Sequence, residues 1–223
     1  MITIIAEIGQ NHGGNMQSAR DMIYGAKANG ADLVKLQLYD SLNLYGEHQL
    51  AELTQMQAQE LFDYGKGVGI EVFFSVFDLT RVLWCEQMGV ERYKIANSER
   101  HNNKLIKAVC ETKKPMFVSI GLHKRLPDIP TKARVDFLYC VARYPAPLDE
   151  VYLGKVNFNL YSGYSDHTIG LDACMVALSR GAKIIEKHFT QDKELKGADH
   201  QWSMDGPDLY RLRKFANNLE EML

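Results

Sequence analysis

The sequence predicts a (β/α)8 TIM barrel, compact and with one or two crossover helices shortened. Three observations lead there. Short apolar runs rich in β-formers alternate with longer segments of helical periodicity, the pattern of repeated βα units around a parallel sheet. Eight such runs fit within 223 residues, near the lower end of the size range for this barrel. An open doubly wound sheet is the alternative, but no Gly-x-Gly-x-x-Gly turn follows the first run, where a dinucleotide fold needs one.

Taken in order, the strands are expected at Thr3 to Ile8, Leu33 to Leu38, Val72 to Val76, Tyr93 to Ala96, Met116 to Ile120, Val135 to Val141, Ser162 to His167 and Lys183 to His188. Helices are expected around Ser18 to Asn29, Thr54 to Gly67, Leu79 to Met88, Asn103 to Thr112, Leu171 to Arg180 and Pro207 to Met222. Gly-Ala-Asp at 30 to 32 and Gly-Ala-Lys at 181 to 183 each stop a helix and open the next strand. Two links are thin. Leu122 to Ala133 carries two prolines and little periodicity, and Pro145 to Asn157 has room for a short helix at most, so both are expected as loops.

Composition narrows the class further. Nearly half the residues are apolar and the formal charge is -2, as in a soluble globular chain, here expected as a single domain over residues 1–223. No apolar run approaches the roughly 20 residues that cross a bilayer, and the opening Met-Ile-Thr-Ile-Ile-Ala lacks a basic leader, so a cytoplasmic location is expected. Cys85, Cys110, Cys140 and Cys174 are scattered, with no Cys-x-x-Cys pair, and read as reduced, mostly buried small hydrophobes. No basic-aromatic interleaving supports a nucleic-acid groove. The lysine-rich stretches Lys104 to Lys114 and Lys187 to Lys196 read as solvated surface apart from strand-end positions.

A parallel strand buried on both faces should be continuously apolar, and several of these are not. Lys35 and Gln37 interrupt the second, Lys94 the fourth, Ser165 and His167 share one face of the seventh, and Glu186 and His188 one face of the eighth. With Glu7 these all fall at carboxyl ends, where barrel enzymes place their chemistry. Buried ionisable groups need mutual pairing or a ligand. His167 and His188, at neighbouring strand ends, can converge on a divalent cation, with Asp166 and Glu186 orienting the rings from behind. His48, His123 and His200 sit in loop-like surroundings and stay unassigned.

Ile-Ala-Glu-Ile-Gly-Gln-Asn-His-Gly-Gly at 5 to 14 resembles the opening of the N-acetylneuraminate (sialic acid) synthases. Further matches follow in order: Gly-Ala-Asp-Leu-Val-Lys-Leu-Gln at 30 to 37, Tyr-Lys-Ile-Ala at 93 to 96, Ser-Ile-Gly at 119 to 121 and Tyr-Pro-Ala-Pro at 144 to 147. Gly-Tyr-Ser-Asp-His-Thr-Ile-Gly at 163 to 170, Ile-Glu-Lys-His-Phe-Thr at 185 to 190 and Gly-Ala-Asp-His at 197 to 200 complete the set.

The resemblance implies a metal-dependent condensation of phosphoenolpyruvate with an open-chain N-acetylamino-sugar aldehyde. On that basis His167 and His188 hold a divalent ion, manganese first, with magnesium or cobalt as other compatible ions. Lys35, Lys94 and Ser119 bind phosphoenolpyruvate. Glu7, Glu99 and Asp199 contact the sugar or handle protons and water, and Gln37, Tyr144 and Ser165 line the same pocket. Asn97 stands where the family has a phosphate-binding serine, and Ala142 stands two before the Tyr-Pro where it has a polar residue. The family also carries a C-terminal antifreeze-like domain that reaches into the partner subunit's site, and this sequence ends at Leu223 after the last helix. A homodimer or association with a lid-supplying subunit is therefore expected. The alternatives are a related synthase using another sugar or a sugar phosphate, for which Arg100 or Arg143 would supply the extra charge, and a non-catalytic sugar-binding or partner barrel.

Overall fold

Alternation of inward and outward side chains, repeated eight times, builds a closed parallel barrel in the computed structural model, which describes residues 1–123 and 125–223. The strands are β1 (Thr3–Gly9), β2 (Leu33–Leu38), β3 (Glu71–Val76), β4 (Tyr93–Ile95), β5 (Met116–Ile120), β6 (Val135–Cys140), β7 (Gly163–Asp166) and β8 (Ile184–His188). Each pairs in parallel with its neighbour in sequence, and β1 closes on β8 with Glu7 opposite His188. Helices α1 (Met16–Ala28), α2 (Ser41–Tyr45), α3 (Gln55–Val68), α4 (Leu79–Met88), α5 (Asn103–Glu111), α6 (Asp172–Ser179) and α7 (Gly206–Met222) run between and after the strands.

The helix starts are written in the sequence. Asn15, Thr54, Asp78, Asn102 and Asp205 each accept a backbone N–H from the first turn, and Thr54 with Gln57 forms a reciprocal capping box. Gly69 ends α3 in the left-handed region at φ 77°, where a side chain would be strained. Each longer helix lays an apolar stripe on the sheet, as α5 does with Leu105, Ile106, Val109 and Cys110.

Eight strands appear where expected, with ends that differ by a residue or so, and His167 lies just past β7. The expected helices all form. The link from Leu122 to Ala133 contains no helix among the described residues, Lys124 lying outside them, and the link from Pro145 to Asn157 holds two 3-10 turns, Leu148–Glu150 and Leu153–Lys155. The five-residue α2 was not expected, because it is too short to show a helical period. All four cysteines are buried and unpaired. No helix among the described residues is long and apolar enough to cross a membrane.

The barrel interior is layered. Ile5, Leu33, Phe73, Phe117, Leu138 and Ile184 form a separate apolar cluster that fills its lower half. Two residues further along the same strands come Glu7, Lys35, Ser75, Ser119, Cys140 and Glu186, all buried. A period of two thus converts the apolar floor into a polar chamber within one step of about 7 Å.

Strand β7 lies so close to β8 that a Cβ on Gly163 would stand 2.1 Å from the Ile184 carbonyl oxygen. Gly163→Ala must push the strands apart, and is expected to destabilise the fold by about 2–3 kcal/mol in urea-monitored unfolding, the upper range for overpacking. A loss below about 0.5 kcal/mol would show that the interstrand gap yields freely.

Candidate active site

The polar chamber is a cavity of about 60 Å³ lined by Glu7, Lys35, Ser75, Lys94, Ser119, Cys140, Ser165 and Glu186, with His167 and His188 above. Its electrostatics rest on two lysines and two glutamates. The Lys35 ammonium pairs with Glu7 Oε2 at 2.8 Å, donates to Ser75 Oγ at 2.9 Å and stands 3.7 Å from Glu186 Oε2. Lys94 Nζ lies 3.2 Å from Glu186 Oε1, which also accepts from Ser165 Oγ at 2.9 Å. Gln37 Nε2 donates to Glu7 Oε1 at 2.9 Å.

On Glu186, Lys35 and Lys94 alike, burial opposes the charge and neighbouring opposite charges favour it, and the balance differs from one to the next. For Glu186, Lys35 and Lys94 outweigh burial and hold the carboxyl down at about 2. For Lys35, Glu186 and Glu7 outweigh burial and lift the ammonium above its ordinary value. For Lys94 burial prevails over Glu186, and the value falls. Lys94 thus carries the less compensated charge. Ser119 Oγ is buried without a hydrogen-bond partner. A partnerless hydroxyl beside lysines suits an incoming oxyanion.

Above the chamber opens a wider cavity of about 450 Å³, lined by Gln10, Gln37, Tyr45, Phe77, Asn97, Tyr144, His188 and Asp199 among others. Gln37, Ala96, Asn97, Tyr144 and His188 line both cavities, so the two communicate. Tyr45 arrives on α2 and accepts a hydrogen bond from Gln10 Nε2 at 2.8 Å, so the unexpected helix supplies a wall of the site. Among the described residues no lysine or arginine lines this outer cavity. Arg143 instead pairs with Glu150, and Arg100 donates to the Asn97 carbonyl at 2.7 Å.

The imidazoles of His167 and His188 lie with centroids 5.8 Å apart. His167 Nδ1 is 2.8 Å from the Val141 carbonyl, which fixes the proton on Nδ1 and leaves Nε2 as a lone-pair donor. Burial, reinforced by His188, pushes His167 down to about 4, so the ring is neutral near pH 7. His188 Nδ1 is buried without a hydrogen-bond partner, 3.6 Å from Asp199 Oδ2. Imidazole nitrogens from two neighbouring strand ends fit a borderline divalent ion that keeps positions for water and substrate oxygens. Among the described residues no group of three or more His, Cys, Asp or Glu forms a complete metal cage.

Three expectations are corrected by these contacts. Glu186 does not orient a histidine: it points into the chamber and binds Lys94 and Ser165. Asp166 does not touch the rings either. It faces outward, paired with Lys187 at 2.6 Å, and Lys187 is fully buried rather than solvated. Glu99 follows β4 in a 3-10 turn, where its Oε2 accepts from Asn102 Nδ2 at 2.8 Å. Ser75, by contrast, lines the chamber and was missed. Its signal was a single hydroxyl two residues after inward Phe73, opposite Gln37 in the β2–β3 ladder.

The other mouth of the barrel holds a cavity of about 160 Å³ with Arg92 and Arg134 in its wall. Those arginines are already bound by Glu71 and Asp136, which leaves the carboxyl-end cavities as the candidate site.

The NeuB family matches residues 22–223 of this chain. The chain belongs to the NeuB family. Among NeuB relatives, the N,N'-diacetyllegionaminic acid synthase of Legionella pneumophila is 31% identical over 99% of this chain and 72% of that protein. The human N-acetylneuraminate-9-phosphate synthase is 30% identical, over 99% of this chain and 70% of its own length. The solved N-acetylneuraminic acid (sialic acid) synthetase of Leptospira borgpetersenii superposes with a TM-score of 0.92 at 28% identity, covering 99% of this chain and 84% of that one. The NeuB barrel here is thus matched along nearly its whole length by proteins named as legionaminic acid, N-acetylneuraminate-9-phosphate and sialic acid synthases.

Proposed function

We propose that this NeuB-family chain condenses phosphoenolpyruvate with an open-chain N-acetylamino-sugar aldehyde to give a nonulosonic acid and phosphate. The observation that carries the reading is the junction of two unlike cavities. A small chamber holding two lysines, of which Lys94 is the less compensated by carboxylates, and an unpartnered serine opens, past His188 and Tyr144, into a roomier polar one. The first suits a compact multiply charged anion, and the second a hydroxylated chain.

In this reading Lys35, Lys94 and Ser119 hold the phosphate and carboxylate of phosphoenolpyruvate, with Asn97 at the opening. Gln37, Tyr144 and Asp199 orient the aldose so that its carbonyl carbon meets the enol methylene. A carbon–carbon bond forms there and the aldehyde oxygen gains a proton. Water then adds to the former enol carbon and phosphate departs. Glu7, held between Lys35 and Gln37, is placed to move the proton from that water. His167 and His188 would hold a divalent ion, with manganese as the first choice, and such an ion supplies Lewis-acid polarisation of the aldehyde oxygen. The lack of cationic side chains along the outer cavity among the described residues supports an aldose without its own phosphate.

The test is a panel assay. Protein supplied with manganese is incubated with phosphoenolpyruvate and N-acetylhexosamines, their phosphates and di-N-acetylated hexoses, with phosphate release and product mass as readouts. Phosphate should appear one-to-one with a product three carbons longer than the aldose, more from unphosphorylated sugars, and none after chelation. Failure of every aldose to accelerate phosphate release would remove the proposal.

A further inference from the structure

Immediately beneath the two imidazoles, on the outer side of the sheet, lies an ion pair that no step of the proposed reaction uses. Asp166 and Lys187 are Cα partners in the β7–β8 ladder, and each is 1% exposed. Their parity is opposite to that of Ser165 and Glu186, so they face α6 rather than the chamber. Asp166 Oδ2 accepts from Lys187 Nζ at 2.6 Å, from Thr168 Oγ1 at 3.2 Å and from Cys174 Sγ at 3.2 Å. Its Oδ1 accepts from Tyr164 Oη at 2.8 Å and from the Thr168 backbone N–H at 2.9 Å. Lys187 Nζ also donates to the Thr168 carbonyl at 2.6 Å.

Stability alone is a poor reason for such a pair, since well-packed apolar residues of similar size commonly do as well or better. What an apolar pair cannot do is fix a backbone. Here Lys187, one before His188, donates to Asp166 and to the Thr168 carbonyl, one on each side of His167. The turn carrying the first imidazole is therefore tied to the strand carrying the second.

We propose that Asp166 and Lys187 are positioning residues that set the spacing of the His167 and His188 imidazoles for a divalent ion. The pair touches neither ring and acts through the strand ends. This rests on the metal reading of the two histidines given above, and the experiment separates failure of one from failure of the other.

Manganese alone is titrated calorimetrically into wild-type protein, His167→Ala, and the double variant Asp166→Asn/Lys187→Met, which leaves no lone buried charge. The visible absorption of the cobalt-loaded forms reports ligand geometry, and thermal unfolding reports stability. The double variant should unfold cooperatively, bind manganese about 10- to 100-fold more weakly, as when other outer partners of metal ligands are lost, and show an altered cobalt spectrum. A folded double variant with wild-type affinity and spectrum, whatever its Tm, would mean that the pair only stabilises, and overturns the proposal. If the double variant does not fold, Tyr164→Phe removes one hydrogen bond from Asp166 while keeping its ring. It should weaken manganese binding several-fold, and unchanged affinity overturns the proposal equally. Wild-type affinity in His167→Ala would sink the metal reading itself, and this proposal with it.

Discussion

Replacing His167 or His188 by alanine is expected to abolish turnover and to weaken divalent-metal binding by more than about 100-fold, beyond the 10- to 100-fold that outer partners of a metal ligand cost. The fold should survive. His188 Nδ1 makes no hydrogen bond, so its removal orphans no partner. Loss of the His167 contact to Val141 forfeits a single hydrogen bond, about 1 kcal/mol. Circular dichroism and thermal unfolding would establish that the variants are folded, calorimetry with manganese their affinity, and coupled phosphate release their rate. Full activity and affinity in both variants would remove the metal from the site.

The second large effect is expected at the lysines. Lys35→Met and Lys94→Met should each raise the KM for phosphoenolpyruvate by about 10- to 100-fold, the equivalent of losing a hydrogen bond to a charged group, and leave the KM for the aldose much less changed. Their stabilities should differ. Lys35 compensates Glu7 directly, and removing it leaves that carboxylate buried with only Gln37, a loss of about 3–5 kcal/mol for a broken buried pair. Lys94→Met leaves Glu186 with Lys35 at 3.7 Å and Ser165 at 2.9 Å, and should lose less. Initial-rate measurements well below the Tm of each variant separate binding from folding. A change confined to the aldose KM would show that the two cavities had been assigned the wrong way round.

Much of this was legible because strand chemistry has a short period. Polar residues at 7, 35, 37, 94, 165, 186 and 188 stood out against apolar runs, and all of them line the two cavities. The same parity contained the correction to Asp166. It alternates with Ser165 and His167, so it had to face outward, and its partner Lys187 alternates likewise with Glu186 and His188. Reading Asp166 as a chemical neighbour of His167, and Lys187 as the start of a solvated stretch, hid that pair. Glu186 was harder. Its bonds cross the barrel to β2 and β4, and closure of the sheet brings them together. Glu99 was assigned by motif, and its Oε2 accepts from Asn102, three residues on. Tyr45 and α2 left no periodic trace, so a wall of the outer cavity came only from the structure.

The apolar cluster of Ile5, Leu33, Phe73, Phe117, Leu138 and Ile184 makes the barrel a blind alley. Among the described residues this floor closes the barrel below the polar chamber, which shares its lining with the wider cavity on the carboxyl side. Occupancy is then first in, last out. A molecule seated in the outer cavity blocks the way of any molecule bound for the inner one, and whatever is set free at the bottom waits behind whatever remains at the top.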